Sequence, residues 1–191
     1  MIKTREDLKY YISEDKRRNP ISRKAYILSL LTGYGGGKTI QFLKCLRNYE
    51  YAYNNRNKNL FYNLLFIYRK LKYFKLQAKL DTYINPNCVG PGLQIPHLGG
   101  IIINCKSMGY NCSINKGVVI GNKKGQDNIA TIGNCCWFTL GCKVIGKVKI
   151  GDNVIVCQNS VVIKDVENNC IVSGVPAKII KQYTNIDDIS I

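Results

Sequence analysis

The chain has a single histidine, and its nine cysteines include no Cys-x-x-Cys pair. A zinc site built from imidazole and thiolate therefore lacks its ligands, as does any metal enzyme that needs three histidines. No charged segment leading into an apolar stretch opens the chain, and no apolar run is long enough to span a bilayer. These absences predict a cytoplasmic protein with no transmembrane segment, and the odd cysteine count fits reduced thiols. Acidic residues are also scarce, 12 against 28 Lys and Arg, for a formal charge of +16. Most of that excess lies in the first eighty or so residues, spread over helical pattern with no nucleic-acid reading motif. It therefore suggests attraction to a small anion and no specific nucleic-acid partner. Gly33-Tyr34-Gly35-Gly36-Gly37-Lys38-Thr39 looks like a phosphate loop, but its glycine spacing is wrong by one residue and a helix precedes it where a strand should. It reads as a link between helices.

What the sequence does have is a six-residue repeat. One apolar residue returns at Ile102, Met108, Ile114, Ile120, Ile132, Phe138, Val144, Ile150, Val156 and Val162, and only Gln126 breaks the series. The fifth position of each hexad is small or β-branched: Cys112, Val118, Ala130, Cys136, Cys142, Val148, Val154, Ser160 and Val166. Glycine favours the second position, at Gly109, Gly121, Gly133 and Gly151, and glycine or Asn/Asp is expected at the corner, where positive φ is cheapest. A period of six fits neither a helix nor simple strand alternation. It describes one flat face plus one corner of a solenoid whose stacked rungs bury a continuous core. Ile84 and Cys88 already share the phase, and the polar stretch from Gly121 to Thr131 reads as a loop leaving the wall. The three inward cysteines, Cys112, Cys136 and Cys142, then act as small hydrophobes.

Ahead of the repeat, helices are predicted over 5–18, 21–32, 39–52 and 59–80, with a loop over Tyr51 to Asn59. On the last helix Leu60, Leu64, Ile67, Leu71, Phe74 and Ala78 form an apolar stripe, flanked by Arg69 and several lysines. That stripe is expected to pack on the solenoid or on another subunit. The domain reading is an α-helical region over 1–82, a repeat domain over 83–181 and a tail over 182–191.

Three segments carry a family resemblance: Gly92-Leu93-Gln94-Ile95-Pro96-His97 followed by Gly100-Ile101-Ile102-Ile103-Asn104, the hexads themselves, and Gly174-Val175-Pro176-Ala177-Lys178. Residues 84–181, roughly half the chain, resemble the hexapeptide-repeat acyltransferases, in particular the serine acetyltransferase group. The fold implied is mainly β, a left-handed parallel β-helix preceded by an α-helical region. Handedness comes from the resemblance alone, because ordinary parallel crossovers are right-handed. The implied assembly is a homotrimer or dimer of trimers, with active sites between neighbouring solenoids.

The resemblance also implies a reaction, acetyl transfer from acetyl-CoA to a hydroxyl without a metal. His97 stands where the family carries its general base, and an imidazole suits removal of a hydroxyl proton. Backbone N–H groups are required to stabilise the tetrahedral oxyanion. The residues matching the family's coenzyme A contacts are Gln158 and Ser160 in the turn Cys157-Gln158-Asn159-Ser160, Lys164, Ala177 and Lys178, the lysines being suited to phosphate. The family's aspartate before the base is Pro96 here, its second aspartate aligns near Tyr83 with Asp81 the nearest carboxylate, and its loop Arg-His pair is replaced by Asn128 and Ile129. These departures remove the charged anchors of an amino-acid acceptor. They favour a sugar hydroxyl in a glycan precursor, touched by Asp127 and Asn128, with L-serine as the alternative acceptor and a non-enzymatic trimeric scaffold as a lesser one.

Overall fold

The computed structural model describes residues 1–32, 35–125 and 128–184. Helix α1 covers Arg5–Arg18, α2 Arg23–Thr32, α3 Gly37–Asn55 and α4 Leu60–Leu80. A capping box starts α1: the Thr4 hydroxyl accepts from Asp7 N–H at 3.0 Å while Asp7 accepts from Thr4 N–H at 2.9 Å. Helix α3 runs into the tract read as a loop and ends at Asn55, because its buried face, Leu46, Tyr49 and Glu50, continues to Ala52 and Asn55; only residues 56–59 form the link to α4. The phosphate-loop look-alike leads straight into α3, its first two residues lying outside the described ones.

Three parallel faces follow. The first stacks β1 (Thr82–Ile84), β2 (Ile101–Ile103), β5 (Val119–Gly121), β8 (Lys143–Ile145) and β11 (Val161–Val162). The second stacks β3 (Ser107–Met108), β6 (Thr131–Ile132) and β9 (Lys149–Ile150). The third stacks β4 (Ser113–Ile114), β7 (Trp137–Phe138), β10 (Ile155–Val156) and β12 (Cys170–Gly174), closed by the antiparallel β13 (Ala177–Gln182). The chain visits the faces in turn, so three hexads make one coil of a triangular solenoid. From Lys143 to its partner Val161 one coil takes 18 residues, whereas Val119 to Lys143 takes 24 because the loop is inserted there.

Residues at the fifth hexad position are buried throughout, from Cys112 to Val166, and so are Met108 to Val162 at the first. Ile102 is the exception. It is 47% exposed on the outside of the first face, and Ile101 and Ile103 point inward, because the chain goes from Ile103 to Met108 in five residues instead of six. The second-position glycines have a steric cause. At Gly109 and Gly133 a Cβ would come within 2.7 Å of the carbonyl oxygen of the next rung's glycine, so it is closeness between rungs that excludes a side chain. Gly121 has no such neighbour. Positive φ falls, as expected of asparagine at a corner, on Asn111, Asn153 and Asn169, and also on Cys135, one below another between the second and third faces.

The helices are fastened to the first coil by a buried ion network. Arg47 donates to Asp15 at 2.8 Å and to Glu50 at 3.0 Å, and also to the carbonyls of Val89 and Gly90. Asp15 accepts from Gly92 and Leu93 N–H, and Glu50 from Asn87 N–H. Burial alone would lower the Arg47 pKa, but the Glu50 and Asp15 carboxylates more than offset it and hold the guanidinium charged. Burial raises Glu50 against the opposing pull of Arg47.

Helix α4 does not pack the predicted stripe on its own solenoid; a different face turns inward, and the stripe lies on the surface, where the other-subunit alternative places it. Tyr73 and Gln77 are buried, Tyr73 stacks on Tyr49 at 5.0 Å and donates to the Ile84 carbonyl at 2.7 Å, and Phe66, Leu76 and Leu80 pack beside them. The predicted stripe of Leu60, Leu64, Ile67, Leu71 and Phe74 faces out, 48–73% exposed. Both stripes have helical spacing. The one bearing Tyr73 and Gln77 wins because it can satisfy a buried carbonyl as well as cover the core.

Candidate active site

His97 is carried on the turn between the third and first faces. The turn is made by Gly99 and Gly100, both at positive φ, and is held by Gly100 N–H donating to Asp81 at 2.8 Å and Gly99 N–H donating to Thr82 at 3.2 Å. Asp81 is itself the left-handed C-cap of α4, so the end of that helix positions the turn. His97 is exposed, and no hydrogen bond within the described residues holds its ring. Asp81 thus braces the backbone of the turn and leaves the imidazole unpaired. Tyr83 points out of the first face, 41% exposed.

Later coils stack their turns beneath this one. Gly117 N–H donates to Gly99 O at 3.0 Å, Gly141 N–H to Lys116 O at 3.0 Å, and Asn159 N–H to Leu140 O at 2.9 Å. His97, Lys116, Leu140 and Gln158 therefore stand on one edge of the solenoid. Three rung spacings of 4.7–4.9 Å put Gln158 roughly 14 Å along the axis from the histidine turn. The edge ends at the β12–β13 hairpin, where Gly174 pairs with Ala177 and Ser173 with Lys178. Gln158 and Lys178 are exposed and Ala177 is half-buried. Ser160 differs: it is buried, and its hydroxyl accepts from Gly174 N–H at 3.1 Å, so the side chain fastens the hairpin from inside.

Lys164 and Asn128 stand on the opposite edge of the first face, at the corner where the loop leaves. Asn128 accepts from Lys147 N–H at 2.9 Å, so its amide oxygen seats the loop against the wall. Asp127 lies outside the described residues. Within one chain, then, the structure brings His97, Gln158, Ala177 and Lys178 to one edge and Lys164 and Asn128 to the other. Sequence reading missed Lys116, exposed on the rung next to the histidine, whose side chain lies against Gly99. The coil period carries the signal, since 97, 116, 140 and 158 recur about one coil apart once the loop is discounted. Among the described residues no group of three or more His, Cys, Asp or Glu side chains is arranged to hold a metal, and no helix is long and apolar enough to cross a membrane.

A triangular coil with a helical front and a histidine at the head of one edge defines the class: a hexapeptide-repeat, left-handed parallel β-helix. Within that class the chain is similar to serine acetyltransferases. It is 31% identical over 167 residues to the serine acetyltransferase of Synechococcus elongatus, covering 85% of this chain and 63% of that protein. It is 36% identical over 98 residues to that of Staphylococcus aureus strain Mu50, covering 49% and 46%. Among solved structures, the serine acetyltransferase of Brucella abortus strain S19 in complex with coenzyme A superposes with a TM-score of 0.71 at 23% identity, covering 93% of this chain and 67% of that one. The chain thus spans about half to two thirds of the length of these curated relatives. No protein-family model matches it.

Proposed function

We propose that the chain is an acetyl-CoA-dependent O-acetyltransferase acting on the hydroxyl of L-serine, with sites shared between the subunits of a trimer. The observation that carries the reading is the edge just described: the only imidazole, exposed and unpaired, heads a column that ends at Ala177 and Lys178. Both curated relatives above are named for acetyl transfer to serine, and the Brucella protein was solved with coenzyme A. Those names support L-serine over the sugar acceptor that the chemistry of Pro96, Asn128 and Ile129 favoured.

In this reading His97 takes the proton of the serine hydroxyl as the oxygen attacks the thioester carbon. The carbon–sulfur bond breaks, and the same imidazole returns the proton to the leaving thiolate. Lys178 offers a cation for phosphate at the far end of the edge, and Gln158 lies between them. Lys164 and the loop stand one face away, so they serve a site only where a neighbouring solenoid brings its loop edge against this one. The exposed apolar residues of the first face, Tyr83, Ile102 and Ile163, supply surface for that contact.

His97→Ala is expected to lower kcat about 10²- to 10⁴-fold, with acetyl-CoA affinity by calorimetry unchanged and residual activity rising with pH as the acceptor ionises without help. Near wild-type turnover in this variant would remove the histidine from the mechanism. Saturation by a nucleotide sugar, with none by L-serine, would transfer the assignment to the sugar acceptor.

A further inference from the structure

The positive charge of the helical region converges at one place. From Lys16 to Leu80 the only carboxylate is Glu50, and it is buried and committed to Arg47 and to Asn87 N–H. The other cations of α3 and α4 therefore have no acidic partner in their own stretch of chain. Three of them, Lys44, Arg69 and Lys72, line a cavity of about 370 Å³ bounded by α2, α3 and α4. Lys44 stands with Cys45 and Asn48 on one face of α3, and Arg69 and Lys72 are one turn apart on α4. Two helical stripes thus bring their cations to the same space, with Tyr26 of α2 beside them.

No Asp or Glu lines this cavity, and none of the three cations makes an ion pair with a described residue. The Arg69 guanidinium lies 5.5 Å from the Tyr68 ring, and no described residue accepts from its N–H groups. Burial pushes the Cys45 thiol up while Lys72 and Arg69 oppose that shift, so both charges act on the α3 wall of the cavity. Like charges around one partly enclosed space repel one another and raise the local potential, and a multivalent anion relieves both effects. Arginine offers a planar fork to phosphate oxygens, and the lysines add mobile point charges. Three cations match a group carrying two or more negative charges better than a single carboxylate.

We infer that this cavity is a binding site for a phosphate-bearing anion, separate from the edge that carries His97 and Lys178. None of its lining residues belongs to that edge, and the inference stands apart from the acetyl-transfer reading. A free phosphorylated compound and a lipid headgroup share the chemistry, and the test separates them.

Calorimetry of the full chain with inorganic pyrophosphate is expected to show binding that weakens with added salt. Arg69→Gln should weaken it about 10- to 150-fold, the equivalent of a charge-assisted hydrogen bond. Lys44→Gln and Lys72→Gln should each weaken it about 2- to 5-fold, as for a more exposed ion pair. Lys70→Gln and Lys75→Gln remove the same charge from α4 outside the cavity, and with Lys178→Ala they should stay within twofold of wild type. If Lys70→Gln or Lys75→Gln weakens binding as much as Arg69→Gln, the attraction belongs to the net charge and the cavity is not a site. Loss in Lys178→Ala with none in Arg69→Gln would put pyrophosphate on the histidine edge and overturn the inference. If the wild type does not bind pyrophosphate, flotation with vesicles of phosphatidylglycerol and phosphatidylcholine, against phosphatidylcholine alone, decides it. Capture by the anionic vesicles that is lost in Arg69→Gln and Lys72→Gln, and kept in Lys70→Gln and Lys75→Gln, assigns the phosphate to a lipid headgroup. No capture, or capture that does not distinguish the two pairs, overturns the inference. Because the lining variants relieve repulsion, their melting temperatures without ligand should equal or exceed that of the wild type, which separates lost binding from misfolding.

Discussion

Arg47 shows at the scale of one residue how the helices and the solenoid become a single body. Its guanidinium is fully buried and reaches two carboxylates and two carbonyls of the first coil. Removing a partner from such a network leaves buried charge uncompensated, at a typical cost of about 3–5 kcal/mol. Arg47→Met should therefore lower the stability measured by urea unfolding by that amount, although the methionine fills much of the space. A loss below about 1 kcal/mol would mean that Asp15 and Glu50 find other donors. His97 is the opposite kind of residue, exposed and free of partners among the described residues, so its replacement should act on turnover and leave the fold intact.

Helix α4 makes the comparable point for an element. Two apolar stripes run along it, and composition alone does not rank them. The stripe that packs has a tyrosine hydroxyl and an amide to meet the Ile84 carbonyl, at 2.7 and 3.3 Å. Tyr73→Ala should cost about 3–5 kcal/mol, as expected for emptying an aromatic site in a core. Leu64→Lys and Leu71→Lys on the outer stripe should stay within about 0.5 kcal/mol of wild type. Thermal unfolding of the three variants checks the assignment, and a reversed ranking would mean that the helix is rotated about its axis.

For the whole molecule, the division of site residues between two edges of the first face is the consequential feature. If neighbouring solenoids complete one another's sites, a chain with His97→Ala still lends its Lys164, and a chain with Lys164→Ala still lends its histidine. Mixed oligomers of these two variants should recover part of the activity that each lacks alone, and light scattering should give a trimer or a multiple of it. No recovery in a confirmed mixture, or a monomer at micromolar concentration, would count against shared sites.

The sequence by itself determined the solenoid. A six-residue repeat with inward small residues from Cys112 to Val166 admits few other solutions, because a period is a local property that each rung satisfies against the next. It also located the start and end of the first and last helices to within two residues, whereas His97 as the base rests on the family resemblance, a lone histidine being more often structural. Only the tertiary structure decided which stripe of α4 is buried, that Ile102 faces out where Ile103 faces in, and that Gly109 and Gly133 are required by rung contact and not by φ. It alone placed Gln158, Ala177 and Lys178 on the edge of His97 while Lys164 fell on the other, and turned the Ser160 hydroxyl inward. Local pattern specifies the repeat unit, whereas these choices depend on residues far apart in sequence that meet only when the coils are stacked and the helices laid against them.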